Sequence, residues 1–362
     1  MFYKKYEIID YRPEFKDQII DLTKIIWGED ENKNRTYFEW KFEQSPYFKE
    51  IIGAIGLYKG KAIAFNGLTV LKWYIDNRKN IFYTIGNTGA CTQMNHQRKG
   101  LHTAMVEYIM KKHKTSKFKL ITGFSPNPAS TAFALKTGWE IFATRKYLRR
   151  YDYLQMGKRE ILTRVKAQSD KLKKVLGKYG SIEVTQNVKP IVMVNLIEKI
   201  PEHKNGICLY RDLGFMQWRF LKPNVNYLFY YLWDKDKRLK GYFVVKYYCR
   251  SGAGKIIDYA YLDIKYFQKI LTFLIKYKHF TYIFLLDVNL DKVLRNVIHN
   301  FGFHHRDLVI KLITKKRKNR KELCYVVKPL KDKSREDYWF IDNLDIRKAE
   351  NWKFTEICSE DV

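Results

Sequence analysis

The stretch Gln97-Arg98-Lys99-Gly100-Leu101-His102 has the residue types and spacing to hold a ligand. A diphosphate needs several backbone N–H donors converging on it, and a glycine-containing turn that enters a helix supplies them. The helix macrodipole adds partial positive charge at the same spot. Gly100 lets backbone come close to a phosphate where a side chain would intrude. Arg98 and Lys99 add charge at the rim, and the flanking His96 and His102 read as surface or phosphate-contacting groups. The plain alternative is an ordinary β-to-α turn with a terminating glycine, so the surrounding elements have to separate the two.

Those elements favour the ligand turn. Ile81 to Cys91 reads as a strand before it, and Leu101 to Lys112 has helical spacing after it, with Leu101, Met105 and Ile109 on one face. A short β-rich run, Phe118 to Phe124, comes next. A second helix then ends at Gly138-Trp139, where the glycine is a helix terminator.

At these residues the chain resembles the GNAT acyltransferase superfamily, whose pyrophosphate signature is (Gln/Arg)-x-x-Gly-x-(Gly/Ala). Gln97 fits the first position and Gly100 the fourth, while His102 replaces the small residue usual at the sixth. The superfamily's late helix is matched by Gly123-Phe124-Ser125-Pro126-Asn127, leading through Ser130 and Phe133 to Lys136-Thr137-Gly138-Trp139. The resemblance implies a mixed α/β (α+β) fold and transfer of an acyl group, most often acetyl, from acetyl-CoA to a small-molecule amine. It implies that backbone around Ala90, Cys91 and Thr92 pairs with the pantetheine arm. It places the pyrophosphate on Gln97 and the amides of Arg98, Lys99, Gly100, Leu101, His102 and Thr103, with Asn127 and Ser130 as further cofactor contacts.

The acid–base pair common in that superfamily is missing. Its Tyr acid, four residues before the late glycine, is Ala134 here, and the strand Thr84 to Thr92 holds no Glu or Asp. Asn87, Thr88 and Cys91 are that strand's polar or reactive members. A thiol of pKa near 8.5 leaves readily, so the acceptor sets the harder requirement. Deprotonating a Lys-like amine at pH 7 costs about 4–5 kcal/mol, and an amine of pKa near 8 about 1 kcal/mol. Catalysis by positioning, with water or Asn87 relaying the proton, therefore suits a weakly basic amine such as an amino sugar. Cys91 is a candidate acyl-carrying nucleophile, weighed against a core cysteine. Glu43 is a candidate base, weighed against a solvated helix carboxylate.

The unit is written twice. Tyr37-Phe38-Glu39-Trp40-Lys41-Phe42, with Pro46 beyond, is echoed by Phe215-Met216-Gln217-Trp218-Arg219-Phe220 and Pro223. Each copy continues through a strand, a basic glycine-containing turn, two strands, a helix, a strand and a second helix, the later one ending at Gly302-Phe303. Trp40 and Trp218 read as equivalent core positions. From Trp40 to Gly138 is 98 positions, but from Trp218 to Gly302 only 84, a difference of 14, and the loss is expected where the first copy has Thr92 to Leu101. If that segment holds a ligand, only the first half can be active. The expected organisation is a GNAT domain over 1–150, an amphipathic connector over 151–205, a degenerate GNAT-like domain over 206–330 and a tail over 331–362.

Composition bounds the rest. The chain has 362 residues, 46% hydrophobic and 29% charged, which fits two folded domains and excludes wholesale disorder. A net charge of +30 suits a phosphate-bearing partner, whether nucleic acid, membrane surface or phosphorylated cofactor, or simply a well-solvated Lys-rich surface. The densest basic run, Lys315 to Lys321, reads as an exposed hairpin tip. Five scattered cysteines without a Cys-x-x-Cys pair argue for free thiols and against a zinc site or a disulfide framework. No signal peptide and no membrane-spanning run is read, so a soluble cytoplasmic protein is expected. Two competing readings stand beside the acetyltransferase. One is an aminoacyl-tRNA-dependent ligase of the peptidoglycan cross-bridge type, which the basic charge would suit. The other is a scaffold in which both copies have lost activity.

Overall fold

The computed structural model describes residues 2–3, 5–76, 78–114, 116–124, 128–152, 176–201, 206–305 and 323–359. The first half runs β1 (Tyr6–Asp10), α1 (Lys16–Trp27), α2 (Glu31–Phe38), β2 (Ile52–Tyr58), β3 (Lys61–Ile75), β4 (Asn80–Thr92), α3 (Leu101–His113), β5 (Phe118–Gly123), α4 (Pro128–Lys136), β6 (Glu140–Thr144) and β7 (Tyr147–Tyr151). The second runs β8 (Gly177–Tyr179), β9 (Ile182–Thr185), α5 (Pro190–Ile197), β10 (Ile207–Leu209), α6 (Leu213–Phe220), β11 (Asn226–Trp233), β12 (Leu239–Tyr248), β13 (Ala253–Tyr261), α7 (Ile264–Lys276), β14 (Tyr282–Leu286), α8 (Lys292–Asn300) and β15 (Cys324–Pro329).

Helices form where apolar residues recur at helical spacing. α3 buries Leu101, Ala104, Met105 and Ile109 along one stripe, and α7 buries Phe267, Ile270, Leu271 and Leu274. α4 and α8 stop because Gly138 and Gly302 both take φ +77, the left-handed cap conformation. The first sheet is sandwiched. α1 and α2 cover one face over Phe42, Ile55, Phe65 and Cys91, and α3 and α4 cover the other over Ile8, Ala64, Leu68 and Val70.

The sheets do not respect the boundaries drawn from the sequence. The first sheet runs β1-β2-β3-β4-β5-β15-β6, and the second runs β7-β14-β13-β12-β11-β9-β8. Each half has thus given its last described strand to the other. β15 sits between β5 and β6, while β7 pairs with β14. The boundary at 150 falls inside a strand of the second sheet, and a first-sheet strand lies within 206–330. Within the span assigned to a connector, β8, β9 and α5 belong to the second half. The amphipathic pattern over 158–178 lies mostly outside the described residues, as does the basic run 315–321.

The tail is built in as well. Trp352–Lys353 pairs with β10, which pairs in turn with the end of β3. Glu356, wholly buried, accepts from Arg145 at 2.6 Å, from Tyr147 at 3.1 Å and from Lys255. One apolar core, from Trp40 and Trp73 through Trp218, Tyr242 and Trp352, is continuous across both sheets. Trp40 and Trp218, the echoed residues, stack on each other at 5.1 Å and 8°. Each indole N–H donates to the other's carbonyl, at 2.8 and 2.7 Å. The repeat is therefore a pseudo-twofold, and its two marker tryptophans meet where the halves join.

Candidate active site

β4 is the strand that positions the site. It is antiparallel to β3 and parallel to β5, but the β5 pairing ends at Gly86–Thr122. Beyond that point the two strands part, and the β5-facing edge of β4 from Asn87 onward is left for another partner. The register with β3 also slips here, since Gly67 faces Gly89 and Leu68 faces Asn87. Thr88 is thus an extra, bulged residue. Lys41, in a single π-helical turn over Glu39–Glu43, is fully buried and donates to the Thr88 carbonyl at 2.7 Å. Its ammonium lies 5.1–5.6 Å from the rings of Trp27, Tyr37 and Phe42.

At the far end of β4 stands the turn singled out from the sequence. Gly100 caps α3 with φ +80, ψ 5, a backbone that a side chain would strain. Ala104 N–H reaches back to the Gly100 carbonyl at 3.1 Å. The amides of Leu101, His102 and Thr103 therefore have no intrahelical acceptor and point out of the helix start. Gln97 braces the turn by donating to the Thr92 carbonyl at 2.9 Å, and Lys99 does so to the Asn95 carbonyl at 2.6 Å. Arg98, with φ +58, is exposed beside them. His96 is held by Tyr6 at 3.1 Å, and burial, with Lys99 and Lys5 nearby, lowers its pKa. His102 turns inward onto Phe133, ring to ring at 4.6 Å, and burial lowers its pKa too. It fills space between α3 and α4, which explains why the turn tolerates it where a smaller residue is usual.

Asn66, wholly buried on β3, has no hydrogen-bond partner for either side-chain atom, and Asn87 Oδ1 is equally orphaned. Both lie on the α3–α4 face, since Asn66 stands between Ala64 and Leu68 in the strand alternation of β3 and Asn87 is the register partner of Leu68. Buried amide groups without partners are costly, so they mark where a ligand's own polar groups belong. Together with the parted strands and the open helix start, they fit a long, amide-bearing molecule ending in phosphates.

Cys91 does not serve as an expected nucleophile. Its side chain is buried on the α1–α2 face beside Phe38 and Phe65, and burial pushes the thiol up to about 12. At neutral pH it stays protonated, so neither an acyl-carrying nor a cofactor-binding role suits its side chain. Glu43 and Glu39 share Lys16, at 2.8 and 3.1 Å, on the helix exterior. Ser130 lies exposed on the first turns of α4, and Asn127 lies outside the described residues. Lys41, Asn66 and Arg219 were not singled out as site residues. The one signal for two of them was the Trp-Lys-Phe/Trp-Arg-Phe echo.

The second half repeats the frame without the turn. Ile257 is bulged in β13 as Thr88 is in β4, and the β13–β14 pairing ends at Ile256–Leu285. A cavity of about 400 Å³ opens there, lined by Arg211, Tyr259 and Tyr261 among others. Here the following helix starts directly, and Asp263 caps it by accepting from Lys265 N–H at 2.9 Å. A carboxylate occupies the position that the first half leaves open for phosphate.

No family model and no curated protein matches the sequence. Solved structures do match. The fold is that of the GNAT acyltransferases, mixed α/β and doubled within one chain. A conserved protein of unknown function from Enterococcus faecalis V583 superposes with a TM-score of 0.64 at 10% identity, covering 90% of this chain and 73% of its own. A GCN5-related N-acetyltransferase from Anabaena variabilis gives 0.56 at 12%, covering 90% and 73%. Saccharomyces cerevisiae N-myristoyltransferase with bound myristoyl-CoA gives 0.54 at 14%, covering 90% and 79%.

Proposed function

We propose that this protein is an acyl-CoA-dependent N-acyltransferase whose single catalytic site lies in the first half. The observation that carries the reading is the parted β4–β5 edge leading straight to a helix start with three outward amides. Acetyl-CoA is the donor the site suits, and its thioester supplies the activated acyl group. The amides of Leu101, His102 and Thr103 grip the diphosphate, and Arg98 and Lys99 screen its charge. The open edge of β4 and the orphaned amide of Asn66 receive the pantetheine arm. The carbon skeleton is thereby aimed at Thr88, where β4 and β5 diverge.

The acceptor is a weakly basic amine, with an amino sugar as the leading class. Among the described residues no Asp or Glu lines the small cavity beneath Thr88. The amine must therefore arrive with its lone pair at low cost, and water or Asn87 relays the proton it loses to the departing CoA thiolate. The tRNA-dependent alternative draws on the basic charge alone, whereas the open helix start beside parted strands suits an amide-bearing chain ending in a diphosphate. Among the described residues no helix is long and apolar enough to cross a bilayer.

The test is direct. Protein incubated with acetyl-CoA and glucosamine should yield the N-acetyl product by mass spectrometry. Asn87→Ala should slow turnover by about tenfold, equivalent to about 1.4 kcal/mol. Unchanged turnover in that variant would remove Asn87 from the proton path.

A further inference from the structure

Where β4 and β5 part, a cavity of about 30 Å³ lies between the halves. Thr69, Thr88 and Thr122 line it from the first half, Arg219 from the second and Ser359 from the tail. Arg219 occupies the place in the second copy that Lys41 holds in the first, and it is only 3% exposed. Its Nη2 donates to the Ser359 carbonyl at 2.5 Å, while its Nε has no partner. A buried guanidinium that meets a carbonyl, with no carboxylate lining its cavity among the described residues, leaves much of its desolvation cost uncompensated. Its planar fork matches a carboxylate or a phosphate, and the carboxylate is the smaller of the two.

The volume narrows this further. A water needs about 10–15 Å³ of such space, so the cavity takes a group the size of a carboxylate and not a sugar ring. The hydroxyls of Thr69 and Thr88, 3.5 Å apart, can donate to the same oxygens, and Lys41 adds positive potential from its seat on the Thr88 carbonyl.

Resting on the function proposed above, we infer that Arg219 receives a carboxylate carried by the acceptor. The preferred substrate is then an amine bearing a carboxylate rather than a neutral amino sugar. This assigns the second half a role in the first half's chemistry, because it contributes the residue that selects the acceptor.

The test is calorimetric titration of the full chain, saturated with CoA, with glucosaminuronic acid and with glucosamine. Wild type should bind the acid at least about tenfold more tightly. In Arg219→Met the two should fall within about twofold of each other while CoA affinity stays unchanged, the latter showing that the variant is folded. Arg219→Lys, which keeps the charge but loses the fork, should retain part of the preference. Equal affinity for the two probes in the wild type, including no binding of either, overturns the inference, as does a preference that survives in Arg219→Met. Failure of CoA itself to bind would overturn the acyltransferase reading and this inference together. CoA binding without an acid preference sinks only the inference.

Discussion

Gly100 and Arg219 stand at opposite ends of what a sequence makes legible. Gly100 announced itself because its role is local: a strand pattern before it, a helical pattern after it and a φ that favours glycine. Arg219 acquires meaning only through Ser359, 140 positions away, and through a cavity built by both halves. Asn66 is similar, since an asparagine inside a strand shows no sign of being orphaned until its neighbours are placed. Cys91 was half legible, because strand alternation left both faces open and only the observed register put it on the α1–α2 side. Buried titratable groups also set a pH dependence at this scale. His279, hydrogen-bonded to Tyr230 at 3.1 Å, is held by burial at a pKa of about 4. The unfolded chain protonates this group near pH 6.5 while the folded chain resists, so its contribution is present above that pH and is lost as pH falls towards 4. His279→Gln should therefore lose less melting temperature than wild type between pH 7 and pH 4.5. An identical loss would show that the ring carries no such linkage.

At the scale of elements, local patterns revealed the strands and helices but not which sheet each strand joins. Nothing near β7 or β15 in sequence says that they exchange places. That information resides in long-range pairing such as Tyr147 with Leu286 and Val327 with Thr122. The exchange is pinned by a buried charge cluster. Arg145, beside β7, and Lys255, on β13, are 7% and 3% exposed, and both close on Glu356 from the tail. Removing the carboxylate takes away the anion on which both buried cations close. Glu356→Gln should cost about 3–5 kcal/mol in urea denaturation. A loss below about 1 kcal/mol would mean that the cluster is hydrated and does not hold the strands.

The whole molecule is one architecture used for two purposes. The 14-residue difference between the copies was visible in the sequence, but only six of those residues fall between strand and helix, where residues 93–100 stand against 262–263. One helix start presents open amides after a glycine, and the other is closed by Asp263. The echoed tryptophans were visible too, although their stacking across the pseudo-twofold was not, because periodicity reports buried positions and not what they touch. From this asymmetry follows a stoichiometry. Calorimetric titration of the full chain with acetyl-CoA should give one saturable site per chain, and that site should weaken by about tenfold or more in Gly100→Val, where a branched side chain meets a left-handed backbone. Two equivalent sites, or no heat at any concentration, would contradict it.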